Sequence, residues 1–234
     1  MKEQFIFQRY EIKYMLTKQQ KIQLLCAMQD YMDPDPHGQS TICNIYYDTP
    51  DYYLIRHSME HPVYKEKFRI RSYGCASPDT PVFIELKKKY HSVVYKRRIQ
   101  LPDHDAESCM KRNHAFPGDS QIHHEISYFR KFYEDLKPAV ALYYDREAFY
   151  SKTDPNFRIT FDENIRYRTE DLSLQSPASG EQLLPPGMVL MEVKTAGAIP
   201  LWMTHLLTAQ NLQKTSFSKY GTAYQNMQLQ GGHQ

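Results

Sequence analysis

The chain has 234 residues, a formal net charge of +2 and 24% charged residues, long enough for one sizeable domain with a real core. Cations and carboxylates nearly balance, which argues against a polycation that coats nucleic acid. No nucleic-acid partner is expected, and a polyanion site must be a local concentration of Lys and Arg.

Cys26, Cys43, Cys75 and Cys109 are scattered without paired metal-type spacing, which fits free thiols in a reducing compartment. The beginning, Met1-Lys-Glu-Gln-Phe5, lacks the apolar centre of a signal peptide, and no apolar run approaches the ~18 to 20 residues of a membrane span. The expectation is a soluble cytoplasmic protein, one domain over 1–234 with its core at 5–224. A membrane-anchored partner and the oligomeric state stay open.

Phe5 to Leu16 alternates as a first strand, with Arg9, Glu11 and Lys13 on one face and Ile6, Tyr10, Ile12 and Tyr14 on the other. Thr17 and Gln20 fit a capping box for a helix whose expected inner stripe is Ile22, Leu25, Met28 and Met32. Turn formers at 33–38 lead into a strand from Thr41 to Asp48, then a short helix from Asp51 to Glu60 with Asp48 and Asp51 as turn and cap residues. His57, Glu60 and His61 match the H-x-x-E-H zinc pattern. Pro62 denies that pattern its continuing helix, so these read as surface residues.

Lys65 to Tyr73 is the strand around which the rest is organised. Lys67, Arg69 and Arg71 share one face, and Phe68 and Ile70 the other. At a spacing of ~6 Å and an effective dielectric near 20, each neighbouring like-charge pair costs about 3 kcal/mol, so water or an anion must occupy that face. The same period-two charge recurs at Glu85, Lys87 and Lys89 in Val82–Tyr90, and at Lys96 and Arg98 in His91–Leu101.

Residues 103–121 are irregular, with room for a short helix, and Ile122 to Leu136 predicts a helix packed through Ile126, Phe129 and Phe132. Ala139 to Tyr150 is a strand with Tyr144 and Arg146 on one face, and Arg158 to Thr169 another with Arg158, Thr160 and Asp162 sharing a side. After a loop at 173–187, Met188 to Thr195 carries Glu192 and Lys194. A helix over Leu201–Asn211 and a final short helix ending near Met227 complete the chain.

Such charged faces cannot all turn toward a dry core. Either a flat sheet exposes them to bulk water, or the sheet closes into a barrel around a wet channel with helices outside. The pattern alone leaves both open. G-x-x-x-x-G-K-[ST] and G-x-G-x-x-G are both absent. A nucleotide would therefore be held by side chains, Arg by bidentate pairing and Lys as a point charge.

Tyr10-Glu-Ile-Lys13-Tyr14, Phe68-Arg69-Ile-Arg71-Ser-Tyr-Gly74, Glu85-Leu-Lys87, Val94-Tyr-Lys96-Arg-Arg98, Tyr144-Asp-Arg146, Arg158-Ile-Thr-Phe-Asp162, Met191-Glu192-Val-Lys194 and Ser216-Phe-Ser-Lys219-Tyr220 occur in that order. Together they resemble the vacuolar transporter chaperone (VTC) domain, the polyphosphate polymerase branch of the triphosphate tunnel metalloenzymes. The resemblance implies an α+β fold: a closed antiparallel β-barrel of about eight strands, open at both ends, with helices outside. It also implies transfer of the terminal phosphoryl group of ATP to a growing inorganic polyphosphate chain with Mn or Mg, releasing ADP.

Carried over by position, Lys13, Arg69, Arg71, Lys87, Arg146, Arg158 and Lys219 become catalytic phosphate ligands. Lys67, Lys96, Arg98, Tyr144, Lys194, Ser218 and Tyr220 become substrate-binding residues, and Glu192 with Glu11 the metal carboxylates. The wider superfamily often begins Glu-x-Glu-x-Lys, whereas this chain has Arg9-Tyr-Glu11-Ile-Lys13. That departure favours the polymerase branch over a two-metal hydrolase. A tripolyphosphate or nucleotide hydrolase on the same tunnel is the first alternative, and a non-catalytic polyphosphate-binding module the second.

Overall fold

A computed structural model describes residues 10–36, 38–91, 93–112 and 116–231. The predicted beginning of the first strand, including Arg9, lies outside them. The strands are β1 (Tyr10–Thr17), β2 (Met32–Pro34), β3 (Ser40–Asp48), β4 (Tyr64–Tyr73), β5 (Pro81–Tyr90), β6 (Val93–Pro102), β7 (Lys137–Ser151), β8 (Arg158–Arg168), β9 (Glu181–Gln182), β10 (Met188–Thr195) and β11 (Lys214–Thr215). The helices are α1 (Lys18–Met28), α2 (Tyr53–Met59), α3 (Asp103–Arg112), α4 (Gln121–Phe132), α5 (Leu201–Ala209) and α6 (Lys219–Gly231). The fold is α+β, and its eight long strands are those expected from the alternation.

The antiparallel sheet has the order β11-β1-β10-β8-β7-β3-β4-β5-β6, with β2 paired to β7 and β9 to β8. In that order β1 and β5 stand six steps apart, about 29 Å in a flat sheet at ~4.8 Å per strand. Yet Lys87 Nζ on β5 lies 2.7 Å from Glu11 Oε2 on β1, so the sheet curls back upon itself.

Among the described residues, the expected closure is made by side chains rather than by a hydrogen-bonded ladder. The free edge of β1 is taken by β11, through Lys13–Thr215 and Tyr14–Lys214, and not by β6. The chain leaving β11 then crosses the gap. Lys13 Nζ donates to the Phe217 carbonyl at 2.7 Å, and Lys67 Nζ to Ser218 Oγ at 3.0 Å.

The convex face carries two apolar cores. Phe68, Ile70, Ile84 and Leu86 pack with Ile126 and Phe129 of α4. Tyr14, Leu16, Phe161 and Met191 pack with Leu24 of α1 and Met203 and Leu207 of α5. Burying a side chain of this size stabilises by about 1.5–3 kcal/mol relative to exposure, so these cores account for why the charged faces turn inward.

A third core fills part of the concave side: Ile42, Tyr46, Val140, Leu142, Ile165 and Tyr167 pack against α2 and α6 through Ile55, Tyr220 and Ala223. Charge is thereby confined to the remainder of that face.

The capping box forms, with Gln20 N donating to Thr17 Oγ1 at 3.2 Å and Thr17 N to Gln20 Oε1 at 2.9 Å. The buried stripe of α1 is Lys21, Leu24 and Met28, while Ile22 is exposed. The helix is rotated because buried Lys21 pairs with Glu147 and Glu163 and lies over the Phe161 ring. Phe132 is likewise exposed on α4, where Ile126 and Phe129 carry the packing. Asp48 is buried and accepts from Thr49, Leu54 and Ile55 backbone N–H groups, capping α2 as expected. No helix of the described residues is long and apolar enough to cross a membrane.

Candidate active site in the charged channel

Strand register sets the lining. Lys67, Arg69 and Arg71 of β4 face Lys87, Glu85 and Phe83 of β5, and Glu85 and Lys87 face Arg98 and Lys96 of β6. On the opposite wall Lys13 pairs with Glu192 and Glu11 with Lys194, while Thr160 and Arg158 of β8 continue those rows. Opposed residues of an antiparallel pair project to one face, so these groups converge. Ser218 and Lys219 enter from the start of α6.

One wall centres on Glu85, which is 1% exposed. Arg69 grips Oε2 with Nε at 2.8 Å and Nη2 at 2.7 Å, Lys96 lies 2.5 Å and Arg98 3.5 Å from Oε1, and Arg71 stands 3.9 Å from Oε2. Burial alone would raise the carboxyl pKa, but Arg69, Arg71 and Lys96 hold it well below the usual range. Arg71 also donates to Asn44 at 2.9 Å and to the Tyr144 hydroxyl at 3.0 Å, and Arg69 to the Tyr46 hydroxyl at 2.8 Å.

The other wall holds two carboxylates. Buried Asp162 accepts two bonds from Arg146, at 2.6 and 2.7 Å, and one from Lys219 at 2.5 Å. Glu192 is ringed by Lys194 at 3.6 Å, Lys13 and Lys219 at 3.7 Å and Arg146 at 3.8 Å. Every one of these separations exceeds hydrogen-bond reach. Glu192 is therefore strongly stabilised as an anion against its burial, chiefly by Lys219, Lys13 and Lys194, while its oxygens stay uncommitted.

Tyr144 joins the two walls. Its hydroxyl meets Arg71, and Lys219 and Arg146 lie 4.6 and 5.0 Å from its ring centre. Burial pushes its phenol up, but Arg71, Arg146 and Lys219 outweigh it and bring the pKa to about 8. Burial lowers Lys67 and Lys96 to about 7, with neighbouring cations adding to it and Glu85 opposing it for Lys96. Lys194 falls to about 8, again through burial. The Lys96 side chain is 43% accessible, so solvent reaches it more freely than it reaches the Lys194 side chain at 19%.

Two residues expected at the phosphates make other contacts. Arg158 bonds Asp35 at 3.2 Å and lies 4.4 Å over the Tyr150 ring, toward one mouth. Tyr220 is 2% exposed and donates to Asp48 at 2.8 Å. Ser218 accepts from Lys67, as above. Lys88 and Arg97 pair with Glu66 and Glu125 on the convex side. Arg166 stands opposite Tyr143 of the convex core because the irregularity around Asn164, at φ +49°, shifts the alternation of β8.

The sequence puts Glu85 on a charged face without indicating a role for it, and it singles out none of Asn44, Tyr46 and Asp35. The period-two positions of Glu85 beside Lys87 and of Asp162 beside Arg158 were the available signal.

Among the described residues, no group of three or more His, Cys, Asp or Glu gathers as a metal cage. The donor set fits a hard divalent cation held through Glu192 and otherwise by substrate oxygens. Glu11 is engaged by Lys87, which with burial working against it brings the carboxyl pKa down to about 2.

Three solved structures share the architecture. A candidate adenylate cyclase from Bacillus halodurans is 14% identical with a TM-score of 0.57, covering 92% of this chain and 96% of its own. Another from Vibrio parahaemolyticus is 12% identical with a TM-score of 0.52, covering 94% and 99%. A candidate adenylyl cyclase from Hippeastrum, described as having a dominant triphosphatase activity, is 13% identical with a TM-score of 0.55, covering 93% and 96%. At these identities the likeness is one of fold. No curated protein matches the sequence. The VTC domain pattern, however, matches residues 8–228, nearly the whole chain and all of the walls just described, and the protein belongs to the VTC domain family.

Proposed function

We propose that this domain lengthens inorganic polyphosphate with the terminal phosphoryl group of ATP. The observation that carries the reading is Glu192, a carboxylate without a hydrogen bond within a ring of four cations, facing the Glu85 wall. Such a channel suits a linear polyanion better than a compact one. Phosphoryl transfer asks the protein for alignment and charge stabilisation rather than a nucleophile of its own.

A terminal oxygen of the polyphosphate chain attacks the γ-phosphorus. The bond from that phosphorus to the β,γ-bridging oxygen breaks, and ADP leaves with the electron pair. Arg69, Arg71, Lys87, Arg146 and Lys219 neutralise the phosphates from several sides, with Lys13, Lys67, Lys96 and Lys194 completing the cationic surround. Mn or Mg held by Glu192 would supply Lewis-acid charge stabilisation. Free Cys26, Cys43, Cys75 and Cys109 fit a cytoplasmic setting.

Purified protein is incubated with ATP and Mn, products are resolved on a gel, and free phosphate is assayed. Long chains with ADP are the expected result. Free phosphate without chains supports instead a hydrolase, the reading that the Hippeastrum neighbour's described triphosphatase activity favours. Retained polyphosphate binding with neither product would mark a silent binding module.

A further inference from the structure

Toward the end of β4 and the start of β5, the channel lining changes from charged to aromatic. Tyr73 is 51% exposed and meets Phe83 edge-on with ring centres 5.7 Å apart. The Arg98 guanidinium lies 3.4 Å from the Phe83 ring centre, with Nη2 3.4 Å from the Tyr73 hydroxyl. Register brings β7 to the same end: Ile42 pairs with both Tyr73 and Tyr144, and β7 runs on from Tyr144 to Tyr150. There Arg158 lies over the Tyr150 ring, and both bond Asp35. Burial raises the Tyr150 phenol, and the proximity of Asp35 and Tyr73 adds to it, consistent with two phenols on one mouth.

Core packing does not account for this surface. Tyr73, Phe83 and Tyr150 belong to none of the three buried apolar clusters. A wet, charged channel has no need of an exposed phenol rim. The aromatic mouth is nevertheless joined to the phosphate wall, because Arg98 that stacks on Phe83 also stands 3.5 Å from Glu85.

We propose that this mouth is a stacking site for the base of a nucleoside triphosphate whose phosphates lie in the channel, an inference that rests on the triphosphate reading above. Aromatic rings and Arg guanidinium planes bind flat π-systems, which a phosphate chain lacks. The site would orient the nucleotide with its γ-phosphate deepest. Stacking reads ring area rather than base edges, so purines are preferred over pyrimidines with little distinction between adenine and guanine.

The test is the affinity of wild type and Tyr73→Leu for ATP, CTP and inorganic tripolyphosphate, measured calorimetrically in one Mg-containing buffer. Leucine retains an apolar side chain at a half-exposed position but removes the ring, and a thermal melt checks folding. Tyr73→Leu is expected to weaken ATP by about tenfold, the usual scale for losing one base–aromatic contact. Tripolyphosphate affinity should stay within about twofold, and the preference for ATP over CTP should shrink. Equal losses for ATP and tripolyphosphate, or no change in either, would overturn the stacking site while leaving the channel reading intact. Wild type that binds none of the three would overturn the channel reading, and the stacking site with it.

Discussion

Around Glu85, Arg69 and Lys96 close to 2.5–2.8 Å, whereas around Glu192 four cations stop at 3.6–3.8 Å. Both carboxylates are held as anions against burial. The difference lies in what their oxygens still have to offer. Glu85 is 1% exposed, with Oε2 hydrogen-bonded by Arg69 and Oε1 in a 2.5 Å ion pair with Lys96, so it acts as a keystone that lets Arg69, Arg71, Lys96 and Arg98 crowd onto one wall. Glu192 stabilises a comparable set at a distance and retains coordinating capacity. The same residue type thus holds a wall together in one place and, in the other, leaves its oxygens without a hydrogen bond amid four cations.

Glu85→Gln should break the first half of that contrast with the largest effect. Removing the charge leaves buried cations uncompensated, at a cost of about 3–5 kcal/mol, read as a lowered midpoint in urea. A variant as stable as wild type would show that the wall stands without its keystone.

Glu192→Gln addresses the second half. Turnover should fall at least about 100-fold, on the order of 2.7 kcal/mol of transition-state stabilisation, with a smaller loss of stability than at Glu85. Steady-state kinetics and a melt on the same sample separate the two, and undiminished turnover would remove Glu192 from the reaction.

A smaller effect marks the channel's boundary. Tyr220→Phe removes the hydroxyl bonded to Asp48 and should cost about 1–2 kcal/mol of stability while leaving polyphosphate affinity unchanged. A loss of affinity at unchanged stability would return Tyr220 to the binding surface.

The subtlest test is one of protons. Burial brings Lys67, and the more accessible Lys96 with it, down to about 7 against an ordinary 10.5, so between those values the unfolded chain holds more protons. Their contribution to stability therefore rises with pH across that window. A bound polyanion favours the charged lysines, so tripolyphosphate binding at pH 8 should take up protons, detectable as a calorimetric heat that changes with the buffer's ionisation enthalpy. A buffer-independent heat would contradict the lowered proton affinity of these lysines beside the ligand.

Much of this architecture was legible in advance because alternation is a local signal: each long strand declares its own charged face, as Lys67, Arg69 and Arg71 do. What a single strand cannot declare is what stands opposite. The role of Glu85 depends on cations from β4 and β6, and that of Asp162 on Arg146 and on Lys219 of α6. Curling of the sheet, closed by the Glu11–Lys87 pair and the chain after β11, is a long-range event without a local signature. The irregularity at Asn164 shows the limit most plainly, since it turns Arg166 away from the face that Arg158, Thr160 and Asp162 share. Ile22 shows another: periodicity allowed an apolar stripe through it, but paired Lys21 is buried instead. The ordered motifs that suggested the family survived these local exceptions because all but the one at 216–220 lie on the long strands.

The central claim is that the Glu85 and Glu192 walls clasp one linear phosphate chain between them. A crystal structure with tripolyphosphate and Mn tests it most directly. The account predicts phosphate oxygens against Arg69, Arg71, Arg146 and Lys219, and an anomalous Mn signal beside Glu192. Phosphates bound on the convex face, or an Mn site remote from Glu192 with the channel lysines untouched, would contradict it.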